Sequence, residues 1–130
     1  MKYTIEFDPE TGTIVVTLRG KFDLELSQRA MREVNEIRSS VALAHSVWDV
    51  RELVFSTFDV ENVKRIGHTR ASMPERRPNE RMATVLSDPA DRSIINLLLA
   101  YSQVPASNWR FFDTLEAAID WCTAEPDKGG

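Results

Sequence analysis

The chain has 130 residues, 42% hydrophobic and 28% charged, the size and make-up of one globular domain. Its single cysteine, Cys122, excludes an internal disulfide and a cysteine-based metal cluster, and its two histidines disfavour a histidine-based zinc site. A net charge of −4 argues against a dedicated nucleic-acid binder, and the longest strongly apolar run, Leu97 to Tyr101, is far short of the roughly 18 residues a membrane helix needs.

The N-terminus, Met1 to Glu6, is polar from the start and lacks the charged-then-apolar pattern of a signal sequence. A soluble cytoplasmic protein is the expectation. Tyr3 to Asp8 then alternates, with Tyr3, Ile5 and Phe7 on one face and Thr4 and Glu6 on the other. That period of two predicts a half-buried strand. The turn formers Asp8-Pro9-Glu10-Thr11-Gly12 follow, and Thr13 to Arg19 alternates again, so the two runs predict a β-hairpin closed by Gly20.

Asp23 can cap the next segment, where Leu26, Ala30, Val34, Ile37 and Val41 recur at helical spacing. Arg29, Arg32, Glu33, Glu36 and Arg38 fall on the opposite, polar face. His45 to Val50 predicts a third strand, with Arg51 just after it. Ser56-Thr57-Phe58-Asp59 resembles a capping box, a hydroxyl followed three residues on by an acid. Val60, Val63, Gly67 and Ala71 then define a helix to about Met73.

Four arginines lie between Arg70 and Arg81, diluted by Glu75 and Glu80, in a stretch bracketed by Pro74 and Pro78. This reads as a solvated loop or as an anion or partner contact. Arg81 to Ser87 predicts a fourth strand. Asp88-Pro89-Ala90-Asp91 is a helix start, and that helix runs to near Gln103. Trp109 to Phe112 is an aromatic fifth strand. Asp113-Thr114-Leu115-Glu116 opens a last helix with Leu115, Ala118, Ile119 and Cys122 on its inner stripe.

The element order is ββαβαβαβα. Strands separated by helices must pair in parallel through crossovers. The expected fold is therefore α/β: a single-layer, mostly parallel five-stranded sheet with an antiparallel N-terminal edge strand. One domain covers residues 1–125, and residues 126–130 form a frayed polar tail.

This order resembles the STAS fold, named for anti-sigma-factor antagonists and the cytosolic part of sulfate transporters. The resemblance is closer to its SpoIIAA-like branch, which is also grouped with the lipid-binding CRAL-TRIO proteins. It rests on the hairpin Tyr3 to Gly20, the strand and turn Val47 to Leu53, and the closing Phe111 to Trp121. Those last two are similar to that branch's Val-Asp-Leu-Arg strand end and Leu-Glu-Glu-Ala-Leu-x-Trp helix. The resemblance implies a regulatory module that binds proteins. It also implies two alternatives: a binder of a small apolar or anionic, lipid-like ligand, and an anti-sigma antagonist switched by phosphorylation. Antagonists carry the phosphorylated serine in Asp-Ser-Ser/Ala-Gly after the third strand. Ser56 and Thr57 offer hydroxyls at that point, without the preceding Asp or the following Gly.

Ligands of open parallel sheets bind outside the carboxyl ends of the strands. The polar residues expected there are Asp49, Arg51, Ser56, Thr57, Ser87, Asp88 and Asp113. Helix N-termini in this rim could hold an anion. Alternatively, Ser56, Asp88 and Asp113 are helix caps, and Asp49 and Arg51 pair with each other across one intervening residue. Neither His45 nor His68 has a matching nucleophile and orienting group, and Cys122 reads as a buried thiol. Nothing in the chain forms a glycine-rich phosphate loop, so the expectation is no enzyme and no cofactor.

The helix after Asp88 carries more apolar residues than one face needs. Ile94, Leu97, Leu98 and Tyr101 form a core face, and Ile95 and Leu99 widen the apolar arc to about 200°. Ile95 and Leu99 are thus either buried within the domain or an association surface for a homodimer partner, another protein or a lipid.

Overall fold

The computed structural model describes residues 1–55, 59–73, 79–102 and 108–124. The chain runs β1 (Lys2–Asp8), β2 (Thr13–Lys21), α1 (Leu24–Ser40), β3 (His45–Val54), α2 (Val60–Ala71), β4 (Met82–Val85), a 3₁₀ turn (Pro89–Asp91), α3 (Arg92–Ser102), β5 (Trp109–Phe112) and α4 (Leu115–Thr123). The strands form one five-stranded sheet in the order β1-β2-β3-β4-β5. Only β1 is antiparallel to its neighbour, as the hairpin and the crossovers require.

Alternation along the strands sorts the side chains onto two faces. On one face Ile14, Val16, Leu18, Trp48, Val50 and Met82 pack against α1, α2 and α3. On the other, Val47, Ala83 and Val85 pack against Ala118 and Cys122 of α4. The sheet is the middle layer between three helices and one.

Several boundaries differ from the sequence expectations, each for a local reason. Gly20 does not end β2. It adopts φ +83°, next to a register shift between Thr17 and Arg19, and the ladder continues through Gly20↔Leu53 and Lys21↔Val54. The extra residue lies in β3, where Val50 and Arg51 together oppose Leu18, so the bulge is on the strand facing Gly20. The ladder that continues beyond it carries β3 to Val54, four residues past the expected end. The β4 ladder starts at Met82 because the Arg81 N–H is taken by a side chain, His45 Nδ1, at 3.0 Å.

The caps follow the same logic. Asp23 accepts from Leu26 N–H at 2.9 Å, as expected. The α2 cap is Asp59, which accepts from Asn62 N–H at 2.8 Å. The expected cap, Ser56, lies outside the described residues, as does Thr57. Thr114, not Asp113, caps α4, accepting from Ala117 N–H at 3.2 Å. Asp113 is exposed.

The inner faces are rotated from those expected. In α2, Val63, Ile66 and Gly67 are buried while Val60 is 60% exposed. In α3, Ile95, Leu98, Leu99 and Ser102 face inward at i, i+3, i+4 and i+7. Ile95 is 8% and Leu99 3% exposed, so both are core residues and not an association surface. Leu97, expected in the core, is the one turned outward at 38% exposure.

Helices α2 and α3 touch at Gly67. A Cβ there would overlap Tyr101 Cβ and lie 3.2 Å from the Leu98 carbonyl oxygen. No described helix is long and apolar enough to cross a membrane.

Candidate functional site

The rim at the carboxyl ends of the strands begins with Asp49 and Arg51. Both project from the face of β3 opposite Trp48. Arg51 Nε donates to Asp49 Oδ1 at 2.9 Å, and its terminal nitrogen donates to Oδ2 at 2.8 Å. The Arg51 backbone N–H adds a third bond to Oδ1 at 3.2 Å. The planar guanidinium thus engages both carboxylate oxygens, the strongest geometry such a pair can adopt.

Burial favours the neutral form of Asp49. Hydrogen bonds and charge from Arg51, helped by Arg19, outweigh it and hold the carboxyl below its usual range. The side chain of Asp49 is 9% exposed and that of Arg51 is 37% exposed. The pair therefore neutralises itself inward and presents one edge of a guanidinium outward. Asp49 is ionised at neutral pH with both oxygens occupied, which makes it a poor proton acceptor.

Two more rim groups are drawn to this pair. Ser87 Oγ donates to the Arg51 carbonyl oxygen at 3.2 Å. Arg19 of β2 pairs with Glu52 of β3 at 2.8 Å, with both side chains well exposed. Asp88 is a cap, accepting from Ala90 N–H at 2.9 Å. The structure therefore joins Asp49, Arg51 and Ser87, and uses Asp88 locally.

The ligand crevice of doubly wound sheets forms where the strand order reverses. Here the order runs from β1 to β5 without reversal, and α1, α2 and α3 share one face. The described residues of the rim form an exposed, charged edge.

A concave feature of the described residues lies away from this rim. Between the sheet and its three helices is an apolar cavity of about 60 Å³, partly open, with Leu18, Trp48, Val50, Ile66, Leu98 and Leu99 in its wall. Arg70 of α2 also borders it. Its guanidinium carbon lies 5.1 Å from the centre of the Trp48 ring, and its terminal nitrogen is 3.2 Å from Met82 Sδ. Trp48 Nε1–H is buried with no hydrogen-bond partner among the described residues. Sequence reasoning missed this cavity. Its signal was faint: Arg70 follows Ile66 by one helical turn, so it belongs to the inner edge of α2.

The other singled-out residues have structural roles. His45 is buried and its Nδ1 is occupied by Arg81 N–H. His68 packs edge-on against Tyr101. The Cys122 thiol is pushed up to about 12 by burial, far from a reactive thiolate. Arg38, expected in solvent, is 7% exposed and holds the fully buried Glu80 through Nε at 2.9 Å and a terminal nitrogen at 3.3 Å. Among the described residues no cluster of His, Cys, Asp or Glu could hold a metal ion.

No family model matches the sequence, and no curated protein matches it. Among solved structures, the anti-sigma factor antagonist SpoIIAA in its unphosphorylated form is similar, with a TM-score of 0.58 and 18% identity. The likeness covers 92% of this chain and 95% of that one. The fold is the STAS fold. Its SpoIIAA-like element order is complete here, from the N-terminal hairpin to the closing helix.

Proposed function

We propose that this chain is a cytoplasmic STAS-like regulatory module that acts by binding a protein partner, without chemistry of its own. The observation that carries this is the match of nearly the whole chain, 92%, to a structure of an anti-sigma factor antagonist. The rim supports it. Arg19, Arg51, Glu52 and Ser87 give an exposed edge of mixed charge, suited to recognition of another protein. The partner is a different protein or a second copy of the chain.

The test is site-directed photo-crosslinking in the native cell. A benzophenone side chain at Ser87 should give a discrete protein adduct, and the same group at Glu36, exposed on α1, should give none. Equal adducts from both positions, or none from Ser87, would count against the reading. An adduct of twice the chain mass would identify the partner as a second copy.

A second reading is a phosphorylation switch at Ser56 or Thr57. It is favoured by the SpoIIAA likeness and opposed by the departure from the antagonist motif. Intact-mass measurement on protein from the native cell decides it. Stoichiometric phosphate at either residue would put this reading first.

A further inference from the structure

Protein interiors are packed to the density of organic crystals, and voids larger than a water molecule are few. The cavity beneath α1, α2 and α3, at about 60 Å³, is several times the roughly 10–15 Å³ that one water needs. A bound water also needs about two to four polar partners. The wall here is almost wholly carbon and sulfur. Of its few polar side chains, Ser27 donates through Oγ to Met1 Sδ, and Arg70 is stacked on Trp48 and directed at Met82 Sδ. Water is a poor occupant of such a space, whereas an apolar molecule gives up no hydrogen bonds on entering it.

We propose that this cavity is a binding site for a small, uncharged, apolar molecule no larger than a single aromatic ring. Three observations set the class. Size excludes a lipid with its acyl chain, because sites that bury larger ligands run to roughly 300–1,000 Å³. The wall disfavours a carboxylate or phosphate, because its surface is mostly carbon and sulfur and the Arg70 guanidinium is already stacked on Trp48 and directed at Met82 Sδ. The composition selects a polarisable guest: Trp48 offers an aromatic surface, and Met31 and Met82 offer thioethers. Methionine side chains are unbranched and adaptable, so they can shift to enlarge the space around a flat ring. The site is independent of partner binding at the rim, since its wall comes from the opposite face of the sheet.

Benzene titration of isotope-labelled protein, with sodium benzoate as control, tests this. Benzene should move the Trp48 indole N–H and the Met31 and Met82 methyl resonances saturably and raise Tm. Benzoate should do neither. Leu99→Phe fills the cavity and should weaken benzene binding about tenfold or more. Val50→Ile, which adds one carbon to the wall, should weaken it less, and it carries the test if Leu99→Phe fails to fold. The proposal is overturned if the Trp48 signal does not saturate. Saturable shifts confined to Trp109 or Trp121 would also overturn it. So would a folded Leu99→Phe variant with undiminished affinity.

Discussion

The two ends of the sheet each hold an arginine–carboxylate pair, and the two pairs have opposite characters. At the end where the parallel strands begin, Arg38 and Glu80 are 8% and 0% exposed at their side chains. Beside them, His45 Nδ1 takes the Arg81 N–H, and the Arg81 guanidinium reaches the carbonyl oxygens of Trp121 and Ala124. This polar cluster has a buried centre and ties α1, β3, the approach to β4 and α4 together. At the end where the strands finish, Asp49 pairs with a neighbour two residues away, and Arg51 remains open to solvent. The first arrangement fixes distant parts of the chain to one another. The second costs little to disturb and leaves charge on display. The difference separates an end that holds the fold together from the end to which the proposed function assigns recognition.

That contrast can be broken by mutation. Glu80→Ala should have the largest effect, about 3–5 kcal/mol of lost stability, because it removes the carboxylate that neutralises a buried guanidinium. The double change Arg38→Met with Glu80→Leu should recover most of that loss in denaturant melts. If Glu80→Ala cost as little as a surface change, the buried pair would not be a structural lock.

A smaller effect should come from Asp49→Asn, about 1–2 kcal/mol, since the carboxylate is buried but its arginine is partly hydrated. The carboxyl's folded pKa lies below its unfolded value of about 3.9, so its stabilisation is present above that pH. It is lost as pH falls through the folded value. Acid melts of wild type and Asp49→Asn should converge below about pH 4. Least affected should be Arg19→Ala, at well under about 1 kcal/mol, because the pair with Glu52 is exposed on both sides.

The His45 side chain gives the contrast a pH signature. Burial first, and then the nearby Arg81 charge, depress its folded pKa, with Glu80 opposing. Its contribution is therefore complete above the unfolded value of about 6.5 and declines as pH falls toward the folded one. Tm should drop across that interval, and His45→Asn, which keeps an acceptor for Arg81 N–H, should flatten the drop. A wild-type Tm that does not change between pH 7.5 and 5 would count against the role assigned to this ring.

Local signals carried most of the fold. The alternation of Tyr3, Ile5 and Phe7, the turn at Gly12 and the cap at Asp23 were legible because each acts within a few residues. So were the parallel crossovers, which follow from helices placed between strands. What was not legible depended on partners far along the chain. Arg38 looks like a surface residue until Glu80, 42 positions away, is packed against it. Ile95 and Leu99 were ambiguous because the apolar residues of α3 span more than one face, and only contact with the sheet decides which turn inward. At the rim, the Asp49–Arg51 pairing could be read from i, i+2 spacing on one strand. The order of the strands could not, because it is a property of the whole sheet.

Cys122 offers a way to time the molecule's motions. It is the chain's one thiol, buried in α4 against Val47, Ala83 and Val85. With its ionisation pushed up to about 12, the folded form is inert toward alkylating agents at neutral pH. Modification must then wait for α4 to lift from its side of the sheet. The rate of labelling, followed without any engineered probe, becomes a clock for the opening of the thinner layer. Because α4 is the one described helix on that face, the clock should run faster than hydrogen exchange in the strands beneath the three-helix layer.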